Sequence, residues 1–553
     1  MHFSPAADDR HVGGHGAFHE GATLLDERPL ILTRQITVQV KRAGRDFHTR
    51  TLPLAALEPA YGRLEPEVEH TMKHSILALM TAAAISACAT ATPEQQIIGD
   101  AASALGGRDR ILAVKTLVIE GEGANGNLGQ DMTPEAAGQA FMLSGYKRSI
   151  DVSAGRTRVQ QTRTPNFEYF QGQAPQQQVL GVDGEVGYNV AANGNATRVS
   201  NAVAKDRRAE ILHHPITIVR AALDPAARLA NPRTAGGQRV VDITTASGLA
   251  FTLAIDEGTR LPTRVVSMTD NPNLGDVAVE TSFADYQDVN GLKLPAHLTT
   301  KTDTVTTADI RVTKQALDAD AGNLAAPAAA ASAAPVTGPP PVIVSTEEVA
   351  KGIWFLAGQS HHSVLVEFKD HLMLIEVPQN EARALAVIAK ARELRSGKPL
   401  THAVVTHHHF DHSGGIRAAV SEGLTLIAHK ATAAFFTAAI GRAHTIAPDA
   451  LARNPKPLKL ETVDEELELK DETRTVNLYH IAGSPHADTL LMAYLPKERI
   501  LVEADVFSPA AAVQPYAANL LENIKKRNLK VDRIVPIHGA IAPFTELLKT
   551  ETH

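Results

Sequence analysis

The sequence predicts an α/β layered domain at the C-terminus, preceded by a separate β-rich domain that is mostly antiparallel. Three observations predict this order: short strands separated by turn residues, then an Ala/Pro-rich stretch, then alternating strands and helices. The chain of 553 residues is long enough for two or three domains. Its content of 44% hydrophobic and 21% charged residues is ordinary for soluble globular protein.

The segment Met72–Cys88 has the pattern of a bacterial secretory signal. It begins with the basic residue Lys73, continues with mostly apolar residues and ends in small ones, and the apolar run is too short to span a bilayer. Its last four residues, Ile-Ser-Ala-Cys, resemble a lipobox, in which Cys88 would be lipidated and become the mature N-terminus. Cleavage after Ala89 or Ala91, and a buried amphipathic helix of a cytosolic protein, are the alternatives.

The signal pattern sets the first boundaries and the expected compartment. We expect residues 72–91 to be a signal peptide with a lipobox, and residues 1–71, which lack periodicity, to be a misassigned or disordered extension. The protein is then exported, and it is either periplasmic or anchored to the bacterial envelope through lipidated Cys88. The net charge of −7 argues against a nucleic-acid partner, so the expected partner is a small-molecule substrate.

Residues 94–318 are predicted to form the β-rich domain. Its short strands flank turn signals such as Asp183-Gly184, and one helix is predicted over Arg207–Leu223. The domain resembles the curved half-barrel of lipoprotein-sorting carriers, which hold acyl chains against a concave sheet; a β-rich accessory domain of another kind is the alternative. The Ala/Pro composition predicts a semi-rigid linker over 319–342, which leaves 343–553 for the C-terminal domain.

A run of histidines, His407–His412, follows directly on an apolar strand and precedes a Gly-Gly helix start. His407 and His409 are two apart on extended backbone, so both imidazoles can point to the same side. Asp411 and His412 then fall where the loop turns into a helix, beside a second metal. Imidazole and carboxylate are zinc-type ligands, and with a single cysteine in the chain a thiolate site is excluded. A surface histidine cluster is the alternative, which the position after a buried strand disfavours.

This arrangement resembles the metallo-β-lactamase fold superfamily over about residues 345–545. In that superfamily the first motif is followed by a third His, a bridging Asp and a last His, each just after a strand. The candidates for these positions, in chain order, are His486, Asp505 and His538. The resemblance implies an αββα sandwich with one metal held by His407, His409 and His486, a second held by Asp411, His412 and His538, and Asp505 bridging both.

Other residues near these motifs have less defined roles. His361, His362 and Ser363 either line the site from a loop or have structural roles. Glu376 stands where the superfamily often has Asp, and we expect it to hydrogen-bond the ligand loop. His480 is a less favoured alternative to His486 as the third histidine ligand.

The resemblance implies a hydrolase with two zinc ions per chain, iron or manganese being the alternatives, that hold a bridging hydroxide as the nucleophile. Asp505 would orient that nucleophile and Asp411 would carry a proton to the leaving group. Because typical β-lactamases of this fold lack the bridging Asp, Asp505 favours hydrolysis of an ester, lactone or thioester, with β-lactam hydrolysis as an alternative. An iron-dependent sulfur dioxygenase using His407, His486 and Asp505 and an envelope lipid-binding protein are two further hypotheses.

Overall fold

The computed structural model describes residues 91–167, 174–338, 341–511 and 514–552. The extension predicted for 1–71 and the signal segment with Cys88 lie outside the described residues. Among the helices of the described part, none is both long and apolar enough to cross a membrane.

The N-terminal part is built on one large sheet of thirteen strands, all paired antiparallel. The predicted mostly antiparallel β-rich region is therefore confirmed, whereas its resemblance to lipoprotein-sorting carriers stays a prediction. The first strand of the sheet pairs with the last. Outwards from the first strand the second to the sixth follow in chain order, and outwards from the last strand the twelfth to the seventh follow in reverse order. The strands are β1 Thr116–Gly126, β2 Ala140–Asp151, β3 Arg156–Pro165, β4 Gln176–Asp183, β5 Val186–Val190, β6 Ala196–Arg198, β7 Arg228–Ala235, β8 Gln238–Thr244, β9 Ala250–Asp256, β10 Pro262–Asn271, β11 Gly275–Val289, β12 Leu292–Thr302 and β13 Val305–Leu317.

Four helices supply apolar side chains to the core on one face of this sheet. They are α1 Pro93–Leu105, α2 Arg108–Ala113, α3 Asn201–Ile211 and α4 Pro215–Ala222. The prediction of a single helix over Arg207–Leu223 is wrong, because the helical conformation is interrupted between α3 and α4. Pro215 has no N–H for a continuing helix and instead occupies the first turn of α4, with the His214 imidazole accepting a hydrogen bond from the Ile216 amide.

The Ala/Pro-rich stretch packs on the edge of the large sheet. It contains the short helix α5, Ala328–Ser332, and Arg198 of the edge strand donates a hydrogen bond to the carbonyl of Ala333. Val336 forms a β-bridge with Ser200. This segment is therefore held along part of its length, although the boundaries of 319–342 stay a prediction.

Two sheets face each other in the C-terminal domain. The first has seven strands in chain order and the second has six, also in chain order. Buried side chains from both sheets form one core between them. The strands of the first sheet are β14 Ser345–Ala350, β15 Ile353–Ala357, β16 Ser363–Glu367, β17 Leu372–Ile375, β18 Leu400–Val404, β19 Thr425–His429 and β20 Leu460–Val463. Those of the second are β21 Glu466–Lys470, β22 Thr475–His480, β23 Leu491–Leu495, β24 Ile500–Glu503, β25 Arg533–Pro536 and β26 Ala542–Pro543.

Helices cover the outer faces of both sheets and complete an αββα sandwich, which confirms the predicted fold. Separate apolar cores lie under each helical layer. The helices beside the first sheet are α6 Glu381–Leu394, α7 Phe410–Ser413, α8 Ile416–Ser421, α9 Ala433–Gly441 and α10 Ala450–Arg453; those beside the second are α11 Ala517–Lys526 and α12 Phe544–Leu548.

Parallel pairing places the functional loops at one edge of this sandwich. Strands β17, β18 and β19 pair in parallel, as do β24 and β25. Their carboxyl ends therefore lie on the same side of each sheet, where the loops that follow them meet.

Candidate metal centre

Four of the predicted ligands form a first buried group, made of His407, His409, His486 and Asp505. One ligand atom from each lies within 4.8 Å of the others. The Nε2 atoms of His407 and His486 are 3.3 Å apart, and Oδ2 of Asp505 lies 3.2 Å and 3.0 Å from them. This first group is closed to solvent, since all three imidazoles are buried.

A second group lies beside it and is made of His361, Asp411, His412 and His538. The Nε2 atoms of His412 and His538 are 3.2 Å apart, and Nε2 of His361 is 3.1 Å from Oδ2 of Asp411. Asp411 and His538 expose 24% and 15% of their side-chain surface. The centre is therefore open to solvent on the side of the second group.

The carboxylate of Asp505 lies between the two groups. Its Oδ1 is 2.7 Å from Nε2 of His538, and its Oδ2 is 2.9 Å from Nε2 of His412 while also contacting both Nε2 atoms of the first group. The residue has a positive φ of 63° just after β24, a backbone conformation that Asp tolerates better than most residues. This turn points the carboxylate into the centre.

Glu376, at the end of β17, orients ligands of both groups. The Nδ1 atom of His412 donates to its Oε2 at 2.9 Å, so that in the neutral ring the lone pair lies on Nε2, which faces the centre. The Thr406 hydroxyl also donates to this oxygen, at 2.6 Å, so that the same hydroxyl can accept from Nδ1 of His407 at 3.1 Å. Glu376 therefore hydrogen-bonds the ligand loop, as expected from the sequence, and in doing so it also orients the rings of two of the predicted ligand histidines.

Charge and burial set the protonation of these groups. Burial lowers the pKa of His407 and of His409 well below the ordinary value. Burial would raise the pKa of Asp505, but the surrounding imidazoles, His412 first, hold it well below its usual range. Burial would lower the pKa of His412, but the carboxylates of Asp505 and Asp411 raise it well above its usual value. Carboxylates that favour a proton on a buried imidazole equally favour a metal cation at the same place.

The donor set fits zinc. It consists of imidazole nitrogens and carboxylate oxygens, and several of the histidines are oriented by a hydrogen bond to their other nitrogen. His538, for example, donates from Nδ1 to the carbonyl of Ser360 at 2.9 Å. These are the ligand types of a catalytic zinc site that leaves a position for water or substrate.

The fold brings together all seven residues that the sequence analysis proposed as ligands. It adds His361, one of three residues for which the sequence left two roles open. The other histidines under discussion belong to neither group: His362 accepts from the Gly358 amide, and His480 donates to the carbonyl of Asp488. Their position near a strand did not exclude these two residues as ligands, and the arrangement of the loops in the structure separates them from the two groups.

Two residues near the centre were missed by the sequence analysis. Gln130 and Asp131, in the loop between β1 and β2, contact the ligand loop through hydrogen bonds to Asp411 and His409. No local motif marks this loop, because a backbone carbonyl and an amide side chain carry no sequence signature of metal binding.

The C-terminal domain is similar to known proteins. Residues 357–538 match the family model of the metallo-beta-lactamase superfamily. No curated protein matches the chain. Solved structures similar to 38% of the chain include metallo-beta-lactamases from Hirschia baltica (16% identity, 96% of that chain, TM-score 0.30) and Pontibacter korlensis (17%, 98%, 0.30), and the metallo-beta-lactamase FIM-1 from Pseudomonas aeruginosa in its mono-zinc form (16%, 93%, 0.29). Residues 357–538 of the C-terminal domain thus match the metallo-beta-lactamase superfamily, and the His and Asp groups of this domain fit a metal-dependent hydrolase.

Proposed function

We propose that this protein hydrolyses an ester, lactone or thioester bond of a small molecule at a centre of two zinc ions. The observation that carries the proposal is the position of Asp505, whose two carboxylate oxygens contact histidines of both groups at 2.7–3.2 Å. A carboxylate placed in this way could help to hold a metal ion in each group. When bound, such a pair supplies Lewis acidity and an activated water nucleophile at neutral pH.

Two carboxylates of the chain have distinct roles in the proposed reaction. Asp505 holds the two groups together and orients the attacking water. Asp411 stands on the exposed side, where the pKa of its carboxyl is held well below the usual range, against the effect of burial, by His412 and by a hydrogen bond from His361. An ionised carboxylate there accepts a proton from the water and passes it to the leaving group.

Asp505 also supports the choice of substrate class. Typical β-lactamases of this fold lack the bridging Asp, whereas the wider branch of lactonases and thioesterases carries it. A β-lactam is the alternative substrate, and it presents the same kind of electrophilic carbonyl. An iron-dependent sulfur dioxygenase would need only His407, His486 and Asp505, which leaves the second group without a role.

Metal analysis of the purified full chain, followed by assays on lactone, thioester, phosphodiester and β-lactam substrates, tests the proposal. We expect two zinc ions per chain and turnover of a lactone or thioester. One iron per chain with oxygen consumption would replace the proposal by the dioxygenase. Acyl-chain binding that persists without metal, in a protein that hydrolyses none of the four classes, would instead favour the envelope lipid-binding protein.

We propose further that the enzyme is exported and anchored to the bacterial envelope. The signal pattern and Cys88 support this proposal. Fractionation of cells that produce the chain and its Cys88→Ser variant tests it: the parent should be found with membranes and the variant in the soluble fraction. An equal distribution of the two would exclude lipid attachment at Cys88.

A further inference from the structure

The loop between β1 and β2, residues 127–139, reaches from the β-rich region to the metal centre. It lies against the ligand loop of the C-terminal domain at three points. The carbonyl of Asp131 is 2.9 Å from Nε2 of His409 and 2.9 Å from Nε2 of His408. The side-chain amide of Gln130 donates to Oδ1 of Asp411 at 2.8 Å. The loop therefore touches one ligand of each group.

The hydrogen bond to His409 fixes which nitrogen of that ligand is available. A carbonyl oxygen can only accept, so Nε2 of His409 carries the proton and donates it to Asp131. In a neutral imidazole the lone pair then lies on Nδ1. His408 donates to the same carbonyl and accepts from the Thr489 hydroxyl at its Nδ1, which keeps its ring outside both metal groups.

Hydrogen bonds within the loop hold the carbonyl of Asp131 in a fixed position. Oδ1 of Asp131 accepts hydrogen bonds from the amides of Gly138 and Gln139, both at 2.8 Å. The Asn127 amide donates to the carbonyl of Gln139 at 3.0 Å. These bonds close the loop on itself independently of the C-terminal domain.

Gly129 allows loop 127–139 to approach the ligand loop closely. Its carbonyl accepts from the Phe410 amide at 3.1 Å, and its φ is +75°. A Cβ at this position would lie 2.4 Å from the Phe410 ring, far inside van der Waals contact. A glycine is therefore required for the loop to reach the ligand loop.

We propose that loop 127–139 is a positioning element of the metal centre, which orients His409 and Asp411 for metal binding and makes the β-rich region part of the active site. This inference rests on the proposed function. Hydrogen-bond acceptors behind ligand histidines commonly change metal affinity by about 10–100-fold when they are removed, so displacement of the loop should be visible in metal affinity before it is visible in the fold.

Four variants of the full chain test it. Gly129→Val drives the loop away from Phe410. Asp131→Ala removes the carboxylate that accepts the hydrogen bonds within the loop. Asp131→Asn retains an acceptor oxygen for the amides of Gly138 and Gln139. Gly138→Ala is the matched control, since that exposed glycine of the same loop has nothing within 4 Å of its added Cβ.

The measurements are Co²⁺ and Zn²⁺ affinity by chelator competition, the visible spectrum of the Co²⁺ form, and the unfolding midpoint of the metal-free protein. We expect Gly129→Val and Asp131→Ala to weaken binding about 10–100-fold and to change the Co²⁺ spectrum, at an unfolding midpoint close to the parent value. Asp131→Asn and Gly138→Ala should match the parent. Parental affinity and spectrum in Gly129→Val would overturn the inference alone, whereas a parent chain that binds no metal would overturn the proposed function.

If Gly129→Val fails to fold, Gln130→Leu decides the question. It removes the side-chain amide that donates to Asp411, so a folded Gln130→Leu chain with unchanged metal affinity and unchanged Co²⁺ spectrum would also overturn the inference.

Discussion

Two sets of buried histidines lie in the two parts of this chain, and only one of them is built around carboxylates. In the β-rich region the ring of His213 is buried between the hydroxyls of Thr281 and Ser267, at 2.8 Å and 2.9 Å. In the C-terminal domain the ligand imidazoles converge on Asp505. His213 and most of the ligand imidazoles are buried, so burial does not distinguish the two sets.

The difference lies in the charge of their partners. Burial and the nearby Arg148 lower the pKa of His213 to about 3, and its neutral ring is satisfied by neutral hydroxyls. His412 is equally buried, but carboxylates raise its pKa. In this chain the histidines of the candidate metal site are those with carboxylate neighbours that favour a cation, whereas His213, with hydroxyl partners, is part of the core.

The largest effect is expected from removing the shared charge. Asp505→Asn keeps the shape of the side chain but removes the anion that contacts both groups. We expect kcat/KM to fall about 10³-fold or more, which corresponds to ~4 kcal/mol of transition-state stabilisation, with loss of metal from both groups. Steady-state kinetics with metal analysis measures this.

The matched control is Asp488→Asn, the same substitution at an exposed residue of the loop that carries His486. It should leave activity and metal content at parental values. A fully active Asp505→Asn chain would break the comparison, because the carboxylate would then not be what separates the two histidine sets.

The next effect concerns the carboxylate behind the ligands. Glu376→Gln should weaken metal binding at both groups by about 10–100-fold, because it disturbs His412 directly and His407 through Thr406. Thr406→Val should affect the first group alone, and Thr406→Ser, which retains the hydroxyl, should match the parent. Titration with Co²⁺ resolves the two groups. Equal effects of Thr406→Val on both groups would contradict the proposed route.

Much of this centre could be predicted from the sequence because its ligands follow local patterns. His407, His409, Asp411 and His412 lie within one strand end and one turn, where backbone geometry alone determines which side chains converge. The three later ligands also follow strands, so the order of strands was enough to propose them.

The remaining features could not be predicted because they depend on tertiary placement. Asp131 is 278 residues from His409 in the sequence, and its contribution is a backbone carbonyl. The interruption between α3 and α4 was not predicted because the apolar helical pattern continues across Pro215. This proline lacks the N–H that a continuous helix would need.

A smaller effect is expected from His361, on the exposed side of the centre. His361→Gln should weaken metal binding at the second group by about 10-fold and leave the first group unchanged, since the ring contacts Asp411 and packs against His412 and His538. The neighbouring residue provides the control, because His362→Gln alters no member of either group. Loss of metal from the first group in His361→Gln would show that the two groups are not independent.

The smallest effect on metal binding is expected from changing His213, in the β-rich region. The folded-state pKa of His213, about 3, lies below the ordinary value of about 6.5. The unfolded chain therefore takes up a proton as the pH falls below 6.5, while the folded chain does not. The contribution of His213 is fully present above pH 6.5 and is lost progressively as the pH falls towards 3.

His213→Gln removes this titration and retains a polar side chain between the two hydroxyls. The free energy of unfolding should then fall less steeply between pH 6.5 and pH 5, by on the order of 1–2 kcal/mol over that range, while metal affinity at neutral pH stays at the parental value. Denaturant unfolding at several pH values, compared with the parent, measures the difference in slope. An unchanged slope would show that His213 is protonated in the folded state, and a fall in metal affinity would show that the two histidine sets are coupled through the β-rich region.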